Sequence, residues 1–147
     1  MLLLILLTLS NISFLVQWGP IVIALVLLSL GIIAGNNLGV SKCVSLFGIK
    51  VLDADGLGDL YTLLDGLTIL QYFHDNKGST KTKSVVNLSL GFDCNAPLDD
   101  CIMAYSYPMR HIQNVINNGI AVVAAAGNNA SDASSVFPAL IPGVLTV

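Results

Sequence analysis

The chain opens in near-continuous apolar runs and then settles, from residue 44, into short hydrophobic stretches separated by polar ones. MLLLILLTL and IVIALVLLSLGIIAG are the two apolar blocks of the opening, with NISFLVQWGP between them. The first has the character of a signal-peptide core, but it lacks a positive flank and a clear small-residue cleavage site. The second, extended back to residue 13, would cross a hydrocarbon layer roughly 30 Å thick, with Trp18 as an interfacial anchor. Residues 13–35 are therefore the candidate for membrane association. Residues 1–30 read as an apolar segment, signal-like, membrane-spanning or wrongly joined, ahead of a folded unit over residues 31–147.

Within that unit the pattern predicts strands alternating with helices. VSLFGIKVL is almost uniformly apolar, as in a strand covered on both faces. Behind the turn DADGLG, residues Leu60, Leu63, Leu64, Leu67 and Leu70 recur at helical spacing. A polar loop leads to a second strand, SVVNLSLG, and a helix is predicted within residues 99–117, where Met109, Ile112, Val115 and Ile116 share a face. Pro108 either begins its regular part or kinks it. Asn118 and Gly119 end the helix, IAVVAAAG supplies a third buried strand, and GVLTV a fourth. Such an order predicts an α/β fold with right-handed crossovers around a parallel sheet, and ligands then gather at the carboxyl ends of the strands. Those ends carry DADGLG, SLGF and AAAGNNAS, whose small residues let a ligand approach the backbone.

Charge narrows the partners. All six Lys and Arg and all nine Asp fall from Lys42 onward, Glu is absent, and the net charge is −3. A nucleic-acid surface needs clustered Lys and Arg, so that partner class is excluded. Cys43, Cys94 and Cys101 fit no paired metal-ligand spacing. Cys94 and Cys101 flank the loop NAPLDD and either close it as a disulfide in an exported domain or stay as two thiols.

The motifs GIIAGNNLGVSK, LFGIKVLDADGLG, VVNLSLG, AVVAAAGNNAS and FPALIPGVLTV occur in one order and at one spacing. The set resembles the central part of a subtilisin-like serine protease domain, on the proteinase K-like branch, over residues 31–147. The resemblance implies an incomplete three-layer α/β sandwich with a parallel central sheet, and a parent activity of serine endopeptidase. It makes Asn128 the oxyanion-hole amide, a donor worth roughly 3 to 4 kcal/mol in the transition state. Taken by itself, Asn128 would more simply cap the following turn. The resemblance also makes Ser89, Leu90 and Gly91 one edge, and Gly56, Leu57 and Gly58 the other, of a cradle in which an extended peptide lies as an added strand. Glycines suit such edges because a Cβ would hold the peptide away. Secreted, extracellular or vacuolar localisation goes with the family, and membrane anchoring with the apolar segment. The family often binds structural calcium, but no ligand set is identifiable here, and no cofactor is expected.

The departures concern the triad. Aligning on GIIAG sets Leu25 where the family's catalytic His stands and Leu28 where a second His follows. No Asp precedes Asp53, and the GTSMA-like serine motif would fall after Val147. With none of the three groups the chain is expected not to hydrolyse peptides. It then reads as a fragment or misjoined form of the protease. The alternative is a membrane-anchored pseudoprotease that binds peptides without cutting them, on a sheet lacking its first strand. His74 and His111 are expected in solvent, Asp99 and Asp100 at a helix N-terminus, and Asp53 and Asp55 in a loop without the order of a calcium site. Of the sequons at Asn11, Asn87 and Asn129, only Asn129 is expected to be open to a glycan in an exported domain.

Overall fold

A computed structural model describes residues 4–8, 28–41, 43–76, 83–130 and 132–147, with the backbone alone for 4–8. Its elements are strand β1 (Leu4–Thr8), helix α1 (residues 28–34), β2 (Ser45–Ile49), α2 (Leu60–Asp75), β3 (Ser84–Leu88), β4 (Phe92–Asp93), α3 (Leu98–Ala104), α4 (Ser106–Asn117), β5 (Ile120–Ala124), β6 (Val136–Phe137) and β7 (Leu145–Thr146). The expected α/β class forms around a parallel sheet in the order β3-β5-β7.

Helix α2 follows from its sequence. Asp59 caps it, accepting hydrogen bonds from the Thr62 N–H at 2.9 Å and the Thr62 hydroxyl at 3.0 Å. These bonds, the backbone one first, hold the Asp59 carboxyl below its ordinary range. Leu63, Leu64, Leu67 and Leu70 then fall on one buried face, as the spacing predicts. Gly66 shares that face because the helix lies close on the strand end beneath it; a Cβ there would stand 2.6 Å from Val51 Cγ1. Strands β3 and β5 alternate buried positions with partly buried or exposed ones, and their buried apolar residues join the α2 leucines, Ile112 and Val115 in one core.

Four expectations need correction. The single helix within residues 99–117 is two helices, broken at Tyr105. The Tyr105 N–H still bonds Cys101 O at 3.0 Å, and Pro108 sits in the first turn of α4, where its missing N–H leaves no helical bond unmade. Asp99 and Asp100 occupy the first turn of α3, as expected. Second, β2 is not left without a neighbour: it pairs in a two-stranded sheet of its own. Residues of the first apolar block form β1, which pairs antiparallel with β2, Leu4 opposite Ile49 and Thr8 opposite Ser45, and lies against β3 on its other side. That pairing satisfies backbone groups of β2 that a missing strand would leave open.

Third, His74 is only partly in solvent. His74 is half-buried, with Nδ1 2.8 Å from Ser84 Oγ, joining the end of α2 to the start of β3. Fourth, His111 is half-buried on α4, with Nε2 3.5 Å from Thr68 Oγ1 on α2. As for the membrane, no helix among the described residues is long and apolar enough to cross one. Most of residues 13–35, including Trp18 and Leu25, lies outside the described residues.

Two outcomes follow from this packing. Leu67 is fully buried, so Leu67→Ala should lower unfolding free energy by about 2–5 kcal/mol in urea, with an unchanged denaturant slope. A loss under about 1 kcal/mol would mean that α2 does not close the core. Burial holds the His111 imidazole below its ordinary 6.5. The unfolded chain then takes up this proton at a higher pH than the folded one, so the His111 contribution is intact above pH 6.5 and is lost as pH falls through the depressed folded value. Stability measured from about pH 7 down to 5 should fall less steeply in His111→Gln than in the parent chain; parallel curves would rule out this contribution.

Candidate functional site

The register of the parallel sheet gathers the site. Leu88 of β3 lies opposite Ala124 of β5, and the Ala125 N–H continues the ladder to Leu88 O at 3.2 Å. Ser89–Leu90–Gly91 and Ala125–Ala126–Gly127–Asn128 therefore leave the sheet at the same end. His74 bonds the first residue of β3, at the opposite end, and His111 lies between helices. Neither histidine is near Asn128 along the sheet.

The DADGLG turn is organised by Asp53. Its Oδ1 accepts the Asp55 N–H at 3.0 Å and the Leu57 N–H at 2.9 Å, while its own N–H donates to Leu57 O at 2.7 Å. Gly56 takes the left-handed conformation, φ +80°, that closes such a turn. With its carboxylate directed at the turn backbone, Asp53 is a turn organiser; among the described residues no cluster of His, Cys, Asp or Glu could hold a metal ion. The turn delivers Gly56, Leu57 and Gly58 to one side of a cavity of about 170 Å³, with Leu90, Gly91 and Phe92 lining it as well. Leu52 completes an apolar lining. Ser89 does not face this cavity. Extended backbone turns its side chain the other way, where Ser89 accepts the Asn87 amide at 2.8 Å. It lines a separate cavity of about 190 Å³ with Ser29 and Ile32 of α1. Leu28, on α1, is exposed.

Gly58 and Gly91 also carry a packing requirement of their own. A Cβ on Gly58 would stand 2.3 Å from Leu52 Cδ2 and 2.7 Å from Val51 O, and one on Gly91 would stand 2.7 Å from Val136 Cγ1. Both collisions are with the protein's own interior. Gly127, at φ +99°, also closes on Val136, with a 3.2 Å approach to Cγ2. Val136, buried on β6, is thus the side chain on which both the 89–91 and 125–128 segments settle. Sequence reasoning missed it, because nothing distinguishes one valine in a chain this apolar.

Strand β6 is held in turn by β4, Phe92 opposite Phe137 and Asp93 opposite Val136. Phe137 is fully buried, with Tyr105 stacked at 4.7 Å between centroids and Phe92 tilted at 6.1 Å. Cys94 and Cys101 are joined, Cα to Cα 5.9 Å, and the Cys94 N–H bonds Ser135 O at 2.8 Å. Cys43 is exposed and outside any disulfide. Asp93, also unanticipated, accepts the Asn129 amide at 2.6 Å and clasps the AAAGNN loop to β4. Asn128 itself is exposed. The cap of the following turn comes from Asp132, whose Oδ1 accepts the Ser134 N–H at 2.9 Å; that bond, with a lesser one from the Ser134 side chain, holds its carboxyl low.

Chemically, the strand ends bring two backbone edges together across an apolar lining, with the exposed Asn128 amide on the adjoining loop; on the 56–58 edge the Leu57 N–H and carbonyl are already bonded to Asp53. The Subtilase family profile matches residues 29–147. The chain is 34% identical over 117 residues to the subtilase-type proteinase psp3 of Schizosaccharomyces pombe, covering 80% of this chain and 24% of that protein. It is 34% identical over 117 residues to an extracellular serine proteinase of a Thermus species, covering 80% of this chain and 25% of that one. The chain thus spans about a quarter of the length of these curated relatives. Among solved structures, a cold adapted subtilisin-like serine proteinase superposes with a TM-score of 0.58 at 30% identity, over 78% of this chain and 36% of its own. With the profile spanning most of the chain and the strand-end motifs falling on one parallel sheet, the protein belongs to the subtilase family of subtilisin-like serine proteases.

Proposed function

We infer that the chain is the peptide-cradling part of a subtilisin-like serine endopeptidase domain, and that its 147 residues alone bind extended peptides without hydrolysing them. The observation that carries this reading is the single cleft lined by Gly56–Leu57–Gly58 and Leu90–Gly91, opening at the strand ends that also bear Asn128. An extended peptide would pair with both edges as an added strand, its main chain supplying affinity and its side chains the selectivity. The lining of Leu52, Leu90 and Phe92 favours an apolar side chain in the cleft. Ser89 contributes through its backbone, since its side chain faces the α1 cavity. The Asn128 amide would donate to the oxyanion that develops when a carbonyl is attacked. Attack needs a nucleophile and a base, and the positions that match the family's two histidines hold Leu25 and Leu28, neither able to move a proton. Export is supported by the Cys94–Cys101 disulfide and by the extracellular proteinase among the relatives.

Two measurements on the purified chain test this. A fluorophosphonate serine probe should leave it unlabelled, whereas labelling at the chain's own mass would overturn the non-hydrolytic part. Saturation with an extended, apolar peptide should slow hydrogen exchange at Gly58 and Gly91. Leu57 is largely exposed, so Leu57→Ala should leave the fold intact and weaken binding about tenfold, or about 1.4 kcal/mol. Unchanged exchange at both edges would remove the cradle reading.

A further inference from the structure

We propose that Asn129 is an N-glycosylation site, taking an oligosaccharide in the lumen of a secretory pathway. The inference rests on the export reading above and goes beyond the peptide-binding one. Three tripeptides of the Asn-X-Ser type occur, at Asn11, Asn87 and Asn129, and the fold separates them. Asn11 lies outside the described residues. Asn87 is in the middle of β3, between buried Val86 and Leu88, and its amide donates to the hydroxyl of Ser89, the serine of its own tripeptide. A sugar there would have to enter the 190 Å³ cavity under α1, which is too small for an oligosaccharide. Asn129 is exposed in the bend that follows β5, with Ala130 turned left-handed behind it, φ 52°. Chain on an exposed bend can carry a bulky, hydrated group without disturbing a core.

The hydrogen bond to Asp93 is compatible with the modification. The Asn129 amide nitrogen carries two hydrogens, and one is enough for the 2.6 Å bond to Asp93 Oδ2. In the transfer, Nδ2 displaces the diphosphate of a polyprenyl-diphosphate oligosaccharide. The sugar C1–O bond breaks, a C1–Nδ2 bond forms, the lipid diphosphate leaves, and one amide proton is lost. The product keeps one N–H, so the clasp between the AAAGNN loop and β4 can survive. Asp93 is followed directly by Cys94, so the clasp adjoins a disulfide formed under the same oxidising conditions.

The full chain, translated in the presence of microsomes, provides the test. We expect protease-protected chain carrying one glycan increment, removed by peptide N-glycosidase with conversion of Asn129 to Asp in the peptide mass map. Asn129→Gln and Ser131→Ala should each abolish the increment, Ser131→Thr should retain it, and Asn87→Gln should leave it unchanged. Ser131→Ala keeps the Asn129 amide and its Asp93 partner, so its result does not depend on the fold tolerating a change at residue 129. Protected chain without an increment, or an increment that persists in Ser131→Ala, overturns the glycan and leaves export standing. Chain that stays protease-sensitive outside the vesicles overturns both.

Discussion

The in-register parallel pairing of β3 with β5 is the constraint on which the rest of the site depends. A parallel pair fixes where each chain leaves the sheet, because Leu88 opposite Ala124 forces the next residues of both strands to emerge side by side. A slip of one residue would turn Val86 and Leu88 out of the core and Asn87 into it. Burial of the apolar set therefore holds the register, and the register places the SLG and AAAGN segments together. Charge contributes little to this: Asp53, Asp59 and Asp132 accept local hydrogen bonds that shape a turn or a cap, and Asp93 accepts one from Asn129 that clasps a loop.

Packing then sets the width of the cleft. Gly91 and Gly127 both close on Val136, and Gly58 closes on Leu52 and the Val51 carbonyl. Val136 is in place because β6 pairs with β4, and β4 is fixed by Phe92 against Phe137 and by the Cys94–Cys101 bridge. The edges that would hold a peptide are thus the outer surface of a core contact. A methyl group at Gly58 or Gly91 would act from behind, moving the edge itself, before it met any ligand.

What could be read from residues alone was local. The α2 leucines, the Asn118–Gly119 helix end and the buried IAVVAAAG strand are periodic or carry a turn residue, and each lies where its pattern predicts. Pro108 signalled a helix start or a kink, but the place of the break, at Tyr105, was not legible, because the residues around it are helix-compatible and Pro108 is tolerated in a first turn. The contacts of His74 and His111 are made with residues of other elements, Ser84 of β3 and Thr68 of α2. The strand ends were found because glycine, serine and asparagine stand out against apolar runs. Val136 and Asp93, which arrange those ends, are unremarkable in sequence and gain their roles only through the β4–β6 pairing.

The direction of β1 bears on which strand ends can share a site. In a parallel sheet each strand presents its following loop at the carboxyl end, where ligands gather. Strand β2, paired among the described residues with β1 alone, runs from Ser45 to Ile49 and on into the DADGLG turn, which meets the loop after β3 at the cleft. Strand β1 runs the other way, with Thr8 opposite Ser45. Its carboxyl end therefore opens at the edge of the sheet remote from the cleft. It satisfies the backbone of β2 and lies beside β3. His74 lies at that same remote end, on the first residue of β3. Filling a sheet needs only backbone hydrogen bonds and apolar bulk, in either direction. Assembling an acid, a base and a nucleophile around an oxyanion donor needs strands whose carboxyl ends face one another.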